Sequence, residues 1–246
     1  MTQEQNTLSF EKVLAALQRG DLSLEGEFVH GHNYTFLIQV QNQEESIRAV
    51  YKPQKGEQPL WDFPDDTLAH REASAYLVSQ ALGWNFVPPT VFREDGPYGP
   101  GSVQFFIDHD PNYHYFNLRD EDFQRLPPVV LFDLLINNAD RKGSHMLFGP
   151  EKELWLIDHG LCFNVDEKLR TVIWDFAGQP IPQDLRDDLV TFKDALGSPS
   201  EWVSAVEEHL ASNEISALQA RAERLIKMDY FPYPPQDRRA YPFPPL

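Results

Sequence analysis

The chain contains a single cysteine, Cys162, so no internal disulfide can form and a Cys-rich zinc site is excluded. Basic residues are scarce as well: 21 Lys and Arg against 38 Asp and Glu leave a net charge of −17 over 246 residues. A surface of that sign repels phosphate backbones, and no local Lys/Arg cluster offsets it, which argues against nucleic acid as a partner. Anionic membranes also attract basic clusters, so a membrane partner is not expected. Long apolar runs are missing: none approaches the roughly 18–20 residues that a membrane span requires. The opening MTQEQNTLSF lacks the basic-then-apolar order of a signal peptide. Together these absences predict a cytoplasmic protein. What is present, 41% hydrophobic and 13% aromatic residues, describes a folded globular chain.

The periodicities divide the chain in two. Residues 1–21 hold a short helix, SFEKVLAALQRG, capped by Ser9 and stopped at Gly20, with Phe10, Val13, Leu14 and Leu17 on one face. Residues 22–108 read as a β-rich lobe. Its strands are LSLEGEFV, YTFLIQVQ, SIRAVYKP, PPTVFRED and SVQFFIDHD, with one inserted helix, DDTLAHREASAYLVSQALGW, that Asp66 or Thr67 can cap. Residues 109–246 are mainly helical. LPPVVLFDLLINNAD is apolar nearly all round and therefore buried on most sides; HMLF and ELWLID form a hairpin. Three more helices follow, one opened by Ser198, Pro199 and Glu201 in capping-box spacing. A Pro/aromatic tail then lies extended over the helical lobe. The fold class is α+β, with two lobes and a cleft near residue 108.

Four polar residues stand where folding alone does not ask for them. Strand alternation places Lys52 beside Val50 on a largely apolar sheet face, and a buried ammonium is costly unless paired. Glu72, inside the inserted helix, is the natural partner. Taken singly, Lys52 reads as an edge-strand lysine in water and Glu72 as an exposed helix glutamate. Asp140 follows the buried helix and Asp158 ends the apolar strand LWLI, where Gly160 lets the backbone bend. A lone aspartate at a strand end is an ordinary turn former. Two of them, with Arg141, Lys142 and His145 between and a hairpin to bring them together, are harder to explain that way. Phosphoryl transfer from ATP accounts for the set: it needs a lysine on the phosphates, carboxylates holding a divalent metal, and an acid near the acceptor hydroxyl.

With these residues in view, YKP, HREASAYL, NNADRKGSHML and LIDHGLCF resemble the atypical kinases of the phosphatidylinositol 3/4-kinase and HipA-like superfamily, and in particular a family of small bacterial phosphatidylinositol-kinase-like proteins. The likeness spans about residues 22–175. It implies a two-lobed, protein-kinase-like fold that binds ATP with Mg²⁺ or Mn²⁺. Lys52 would then bind the α/β-phosphates, Glu72 would hold Lys52, Asp140 would be the catalytic aspartate and Asp158 a metal ligand. Phe105, Phe106 and Ile107 would line the adenine slot.

Three positions depart from that pattern. His145 stands where a second metal ligand, Asn, is usual, and is taken here as a metal ligand with Asp158. His159 replaces the commoner Phe. VHGHNYT stands for a full Gly-rich loop; it reads first as an ordinary hairpin turn, and Gly31, Asn33 and Thr35 are its candidate phosphate donors. The partners implied are a nucleotide and a small-molecule or protein acceptor that the sequence does not identify. The readings to be weighed are a phosphotransferase, a non-catalytic nucleotide-binding regulator, and a transferase of AMP to protein. Cys162, between Leu161 and Phe163, reads as an inert core thiol, and the spacing of His109, Asp110 and His114 is too loose for a metal site.

Overall fold

A computed structural model describes residues 9–28, 34–43 and 45–246; the proposed phosphate donors Gly31 and Asn33 lie outside the described residues. Helix α1 (Phe10–Arg19) is capped by Ser9, whose Oγ accepts from the Lys12 amide. Its apolar stripe, Val13, Ala16 and Leu17, is buried. The helix ends at Gly20, whose backbone turns extended, and only glycine fits there, because a Cβ would meet Val40 at 2.6 Å and the Ala16 carbonyl at 2.8 Å. From β4 (Thr90–Gly96), Arg93 donates to the carbonyls of Leu17 at 3.0 Å and Gly20 at 2.9 Å, a cation on the negative end of the helix.

The five strands of the first lobe form one antiparallel sheet. Strands β1 (Asp21–Glu27), β2 (Phe36–Asn42), β3 (Glu45–Pro53), β4 and β5 (Gly99–Phe105) lie in the order β1-β2-β3-β5-β4. Alternation gives the sheet two dissimilar faces. Ile38, Val40, Ile47, Ala49, Tyr51, Val103 and Phe105 pack with α1 in one apolar cluster, which also takes in Leu147 and Trp155 of the second lobe. The opposite face carries Lys52, paired across the ladder with Ser102, and Val50, paired with Gln104. Helix α1 is thus a brace between the lobes. Leu17→Ala, at a site with 0% exposure, should cost about 2–5 kcal/mol, measured by urea unfolding; a loss below that range would show that α1 is peripheral.

Helix α2 (Leu68–Ala81) follows the sheet's third strand and packs against β4 and β5. Asp66 and Thr67 do not cap it. The Thr67 hydroxyl donates to the Pro64 carbonyl, and the carboxylate of Glu57, eleven residues upstream, accepts from the amides of Leu68 at 3.1 Å and Ala69 at 2.9 Å. Its other side, Ala75, Tyr76, Val78 and Leu82, joins the large core of the second lobe. That core is built on α4 (Pro127–Ile136) and the hairpin β6 (Met146–Phe148) with β7 (Leu154–Leu156). Helices α5 (Gln183–Leu196), α6 (Glu201–His209) and α7 (Ser212–Ile226) complete it, with a single-turn helix, α3 (Asp120–Phe123), ahead of α4. The cap of α6 is Ser200, accepting from the Val203 amide, and not Ser198: the proline and capping serine sit before the helix begins. The result is an α+β protein of one antiparallel sheet lobe and one helical lobe. Among the described residues no helix is long and apolar enough to cross a membrane.

Candidate active site

Asparagines 137 and 138 explain how the loop after α4 leaves the core. Asn137 takes the left-handed conformation (φ 55°) that ends the helix. Its side chain donates to the carbonyls of Asn164 and Asp166 and accepts from the Lys168 amide. Asn138 accepts from the Asp140 amide at 2.9 Å and donates to Asp133 at 3.1 Å. The loop is therefore held on both sides before Asp140 emerges.

Arg141 is the hub beneath it. Its side chain is fully buried, as is that of Asp133 on α4. Nε donates to both Asp133 oxygens (3.1 and 3.0 Å) and one Nη to Oδ1 at 2.9 Å. The remaining donors reach the carbonyls of His145 (3.3 Å) and Ile157 (3.1 Å) and the ring of His159 (2.9 Å). All five guanidinium N–H groups are engaged. They tie α4, the Asp140 loop and the strand leading to Asp158 into one unit. Since Arg141 can only donate, His159 Nε2 must accept and Nδ1 must carry the ring proton; Glu72 Oε2 lies 3.9 Å from Nδ1, too far for a hydrogen bond. Burial first, then the Arg141 charge, keeps this imidazole neutral.

Asp158 itself has φ 62°, a left-handed conformation that aspartate tolerates better than most residues. The bend is made there and not at Gly160. The glycine serves close approach: a Cβ on it would lie 3.3 Å from Leu68 Cβ, against the start of α2. From that helix Glu72, buried, accepts from the His159 amide at 3.0 Å through one oxygen and from Lys52 through the other. Arg71, its neighbour, donates to the Cys162 carbonyl at 2.6 Å and to Glu214 on α7. Adjacent residues of α2 thus grip the segment after Asp158 from above.

The cleft between the lobes has a volume of about 370 Å³ and is lined by Lys52, Glu72, Asp140, Lys142, Asp158 and Arg170, with Tyr34 and Phe243 among its other walls. Lys52 Nζ is bound by Glu72 and lies 3.0 Å from Asp158 Oδ1. Asp158 Oδ2 is 3.3 Å from His145 Nε2, and Lys142 Nζ is 3.5 Å from Asp140 Oδ2. Burial lowers the Lys52 pKa, but Asp158 and Glu72 more than offset this and hold it above the ordinary lysine value. Asp158 presents half of its side chain to the cleft. Enclosure raises its pKa, and Lys52 and His145 outweigh that, holding it well below the usual carboxylate range. Asp140 behaves oppositely. Burial pushes it up from 3.8 to about 6, with Asp158 adding to the shift and Lys142 and Arg170 opposing it. Burial likewise brings His145 down to about 4, so its imidazole is neutral at pH 7.

Lys52, Glu72, Asp140, His145 and Asp158 are therefore brought to one place. The proposed adenine residues are not brought together with them. The ladder bond from the Phe106 amide to the Arg48 carbonyl keeps Phe106 on the Lys52 face, where the Arg48 guanidinium lies 4.7 Å over its ring. Phe105 and Ile107 point the other way, into the α1 cluster with Val13 and Trp155. Sequence reasoning left Asp133, Arg71 and Glu57 without roles. Asp133 carried a signal, as the one acid in an otherwise apolar helix; Glu57 carried none, because its partners are set by a loop's path.

No family model matches the chain. It is 40% identical over 265 aligned positions to Protein Rv2133c of Mycobacterium tuberculosis, covering 94% of each. The chain belongs to the Rv2133c family. Among solved structures it is similar to the Helicobacter pylori proinflammatory kinase CtkA, at 12% identity and a TM-score of 0.47, over 87% of this chain and 99% of that one.

Proposed function

We propose that this member of the Rv2133c family is an ATP-dependent phosphotransferase. The observation that carries the reading is the placement of Lys52, from the sheet lobe, between Glu72 of α2 and Asp158 of the helical lobe, with Asp140 in the same cleft. An ammonium held between two carboxylates remains protonated and fixed, ready to receive phosphate oxygens. The finer kinship, with atypical kinases of the phosphatidylinositol 3/4-kinase and HipA-like type, belongs to this proposal and rests on the Asp140-Arg141 loop and the Ile157-Asp158 segment.

In this reading Lys52 steadies the nucleotide phosphates and Glu72 positions Lys52. Asp140 accepts the proton of the acceptor hydroxyl as its oxygen bonds to the γ-phosphorus and the bond to the ADP oxygen breaks. A pKa of about 6 leaves Asp140 ionised at neutral pH while still basic enough to take a proton. The donors present suit a divalent ion held by few protein groups and completed by phosphate and water: Asp158 and His145 would hold it. Among the described residues no cluster of three or more His, Cys, Asp or Glu side chains could do so alone. Such an ion would neutralise charge on the transferring group.

A second reading, nucleotide binding without transfer, is favoured by one detail. The Lys142 amide donates to His145 Nδ1 at 3.4 Å, so Nε2 carries the proton and faces Asp158. The ring would have to give up that arrangement to bind metal.

ATP with Mg²⁺ or Mn²⁺ should raise the melting temperature. Binding only the native state adds about 2.7 kcal/mol at a hundredfold excess over Kd, several degrees for a chain of this size. No shift at millimolar nucleotide with either metal would refute the nucleotide site.

A further inference from the structure

We infer that Arg170 is the anion-recognising residue on the acceptor side of the cleft, so that the acceptor carries a phosphate or carboxylate beside the hydroxyl presented to Asp140. This rests on the phosphotransferase reading and names its substrate class.

The backbone of Arg170 is pinned to the loop on both sides of Asp140. Its amide donates to the Asn138 carbonyl at 2.9 Å, and its carbonyl accepts from the Arg141 amide at 2.9 Å. The side chain that this pinning delivers is half-buried and lines the cleft with Asp140 and Lys142. In a chain of net charge −17 a cation finds carboxylates readily, and the neighbouring ones have. Lys52 is paired with Glu72 and Asp158, Lys142 with Asp140, and Lys168, two residues before Arg170, with Asp62 at 3.0 Å. Among the described residues the Arg170 guanidinium has no hydrogen-bond or ion-pair partner.

An arginine cannot relieve that by losing its proton. Its planar fork matches phosphate or carboxylate in a bidentate way, and an anion entering the cleft supplies what the protein does not. The nucleotide's phosphates are not the natural occupant, since Lys52 and Asp158 define that end. The charge of Arg170 is felt at Asp140, whereas Asp158 is governed by Lys52 and His145. The exposed ring of Phe243 stands on the same wall. It is held there by a strap whose Ala240 carbonyl accepts from Thr171, next to Arg170, and whose Pro245 carbonyl accepts from Gly143. The strap and the pinned arginine thus both line the cleft that holds Asp140.

The test uses the full chain and inorganic phosphate as probe. Thermal stability is followed as phosphate is titrated at constant ionic strength against chloride, with and without saturating ADP and Mn²⁺, for the parent, Arg170→Gln and Arg170→Lys. Phosphate should stabilise the parent in both conditions. Arg170→Gln should bind it roughly ten- to a hundredfold more weakly, the loss of a charge-assisted hydrogen bond, and Arg170→Lys should recover part. Equal melting temperatures of the three proteins in chloride would show that the fold is intact; if Arg170→Gln melts lower, Arg170→Lys against the parent carries the comparison. A phosphate response unchanged in Arg170→Gln, or one that vanishes once ADP and Mn²⁺ are bound, overturns the inference. If ADP and Mn²⁺ shift none of the proteins while the Arg170-dependent response persists, the nucleotide reading fails and the anion site stands. Co-sedimentation with phosphatidylcholine vesicles containing phosphatidylinositol phosphate separates the sources. Arg170-dependent binding assigns the anion to a lipid headgroup and its absence to a soluble acceptor, and either upholds anion recognition.

Discussion

Asp140→Asn should lower phosphoryl transfer by roughly 10²–10⁴-fold, the range typical of a lost general base, while nucleotide binding stays at the parent's level. The separation follows from geometry, because Lys52, Glu72 and Asp158 form their own contacts without Asp140. The same variant should gain stability at neutral pH. Burial raises the Asp140 pKa from 3.8 to about 6, so the fold favours the protonated acid. That contribution is fully present below pH 3.8 and is lost as pH rises through about 6. Parent and variant should therefore unfold at similar urea concentrations near pH 3.8. At pH 7 the variant should be more stable by about 1–3 kcal/mol. In the parent, transfer should rise with pH through about 6. A variant with parental turnover would remove Asp140 from the chemistry. One that is less stable than the parent at pH 7 would show that the carboxylate is satisfied and not strained.

Arg141→Leu should be the most destabilising single change at the site. It strands the buried carboxylate of Asp133 and removes the donors to two carbonyls and His159. Breaking one side of a buried pair costs about 3–5 kcal/mol, a large part of the stability of a typical domain. Replacing both charges, Arg141→Leu with Asp133→Leu, should recover much of the loss, since the stranded ion is then gone. Arg141→Lys should not rescue, because a single ammonium cannot supply five donors in a plane. Urea unfolding of the two single variants and the double variant forms a thermodynamic cycle. A coupling near zero would mean that Arg141 is not the hub that the contacts describe. The expected consequence for function is that Asp140 and Asp158 lose their common support together.

Much of this architecture was legible in local pattern. Alternation marked the strands, the 3.6-residue stripe marked α1, and a lysine on β3, an acid in α2 and two aspartates after apolar segments marked the candidate site. Each signal lies within a few residues of the group it concerns. Where the pattern misled, the deciding interaction came from far along the chain. Thr67 looked like the cap of α2, yet Glu57 takes that place because the intervening loop folds back over the helix start. The run Phe105–Ile107 looked uniformly apolar, and only the pairing of β5 with β3 separates Phe106, on the Lys52 face of the sheet, from its two neighbours in the α1 cluster. Asp133 looked like one polar break in a buried helix; that it carries Arg141, and through it the whole loop, depends on three segments meeting. The sequence by itself determined which residues could be charged, buried or turned. The tertiary structure decided which charges face one another, because burial makes an ion's partner a matter of energy while chain separation leaves no trace in local periodicity.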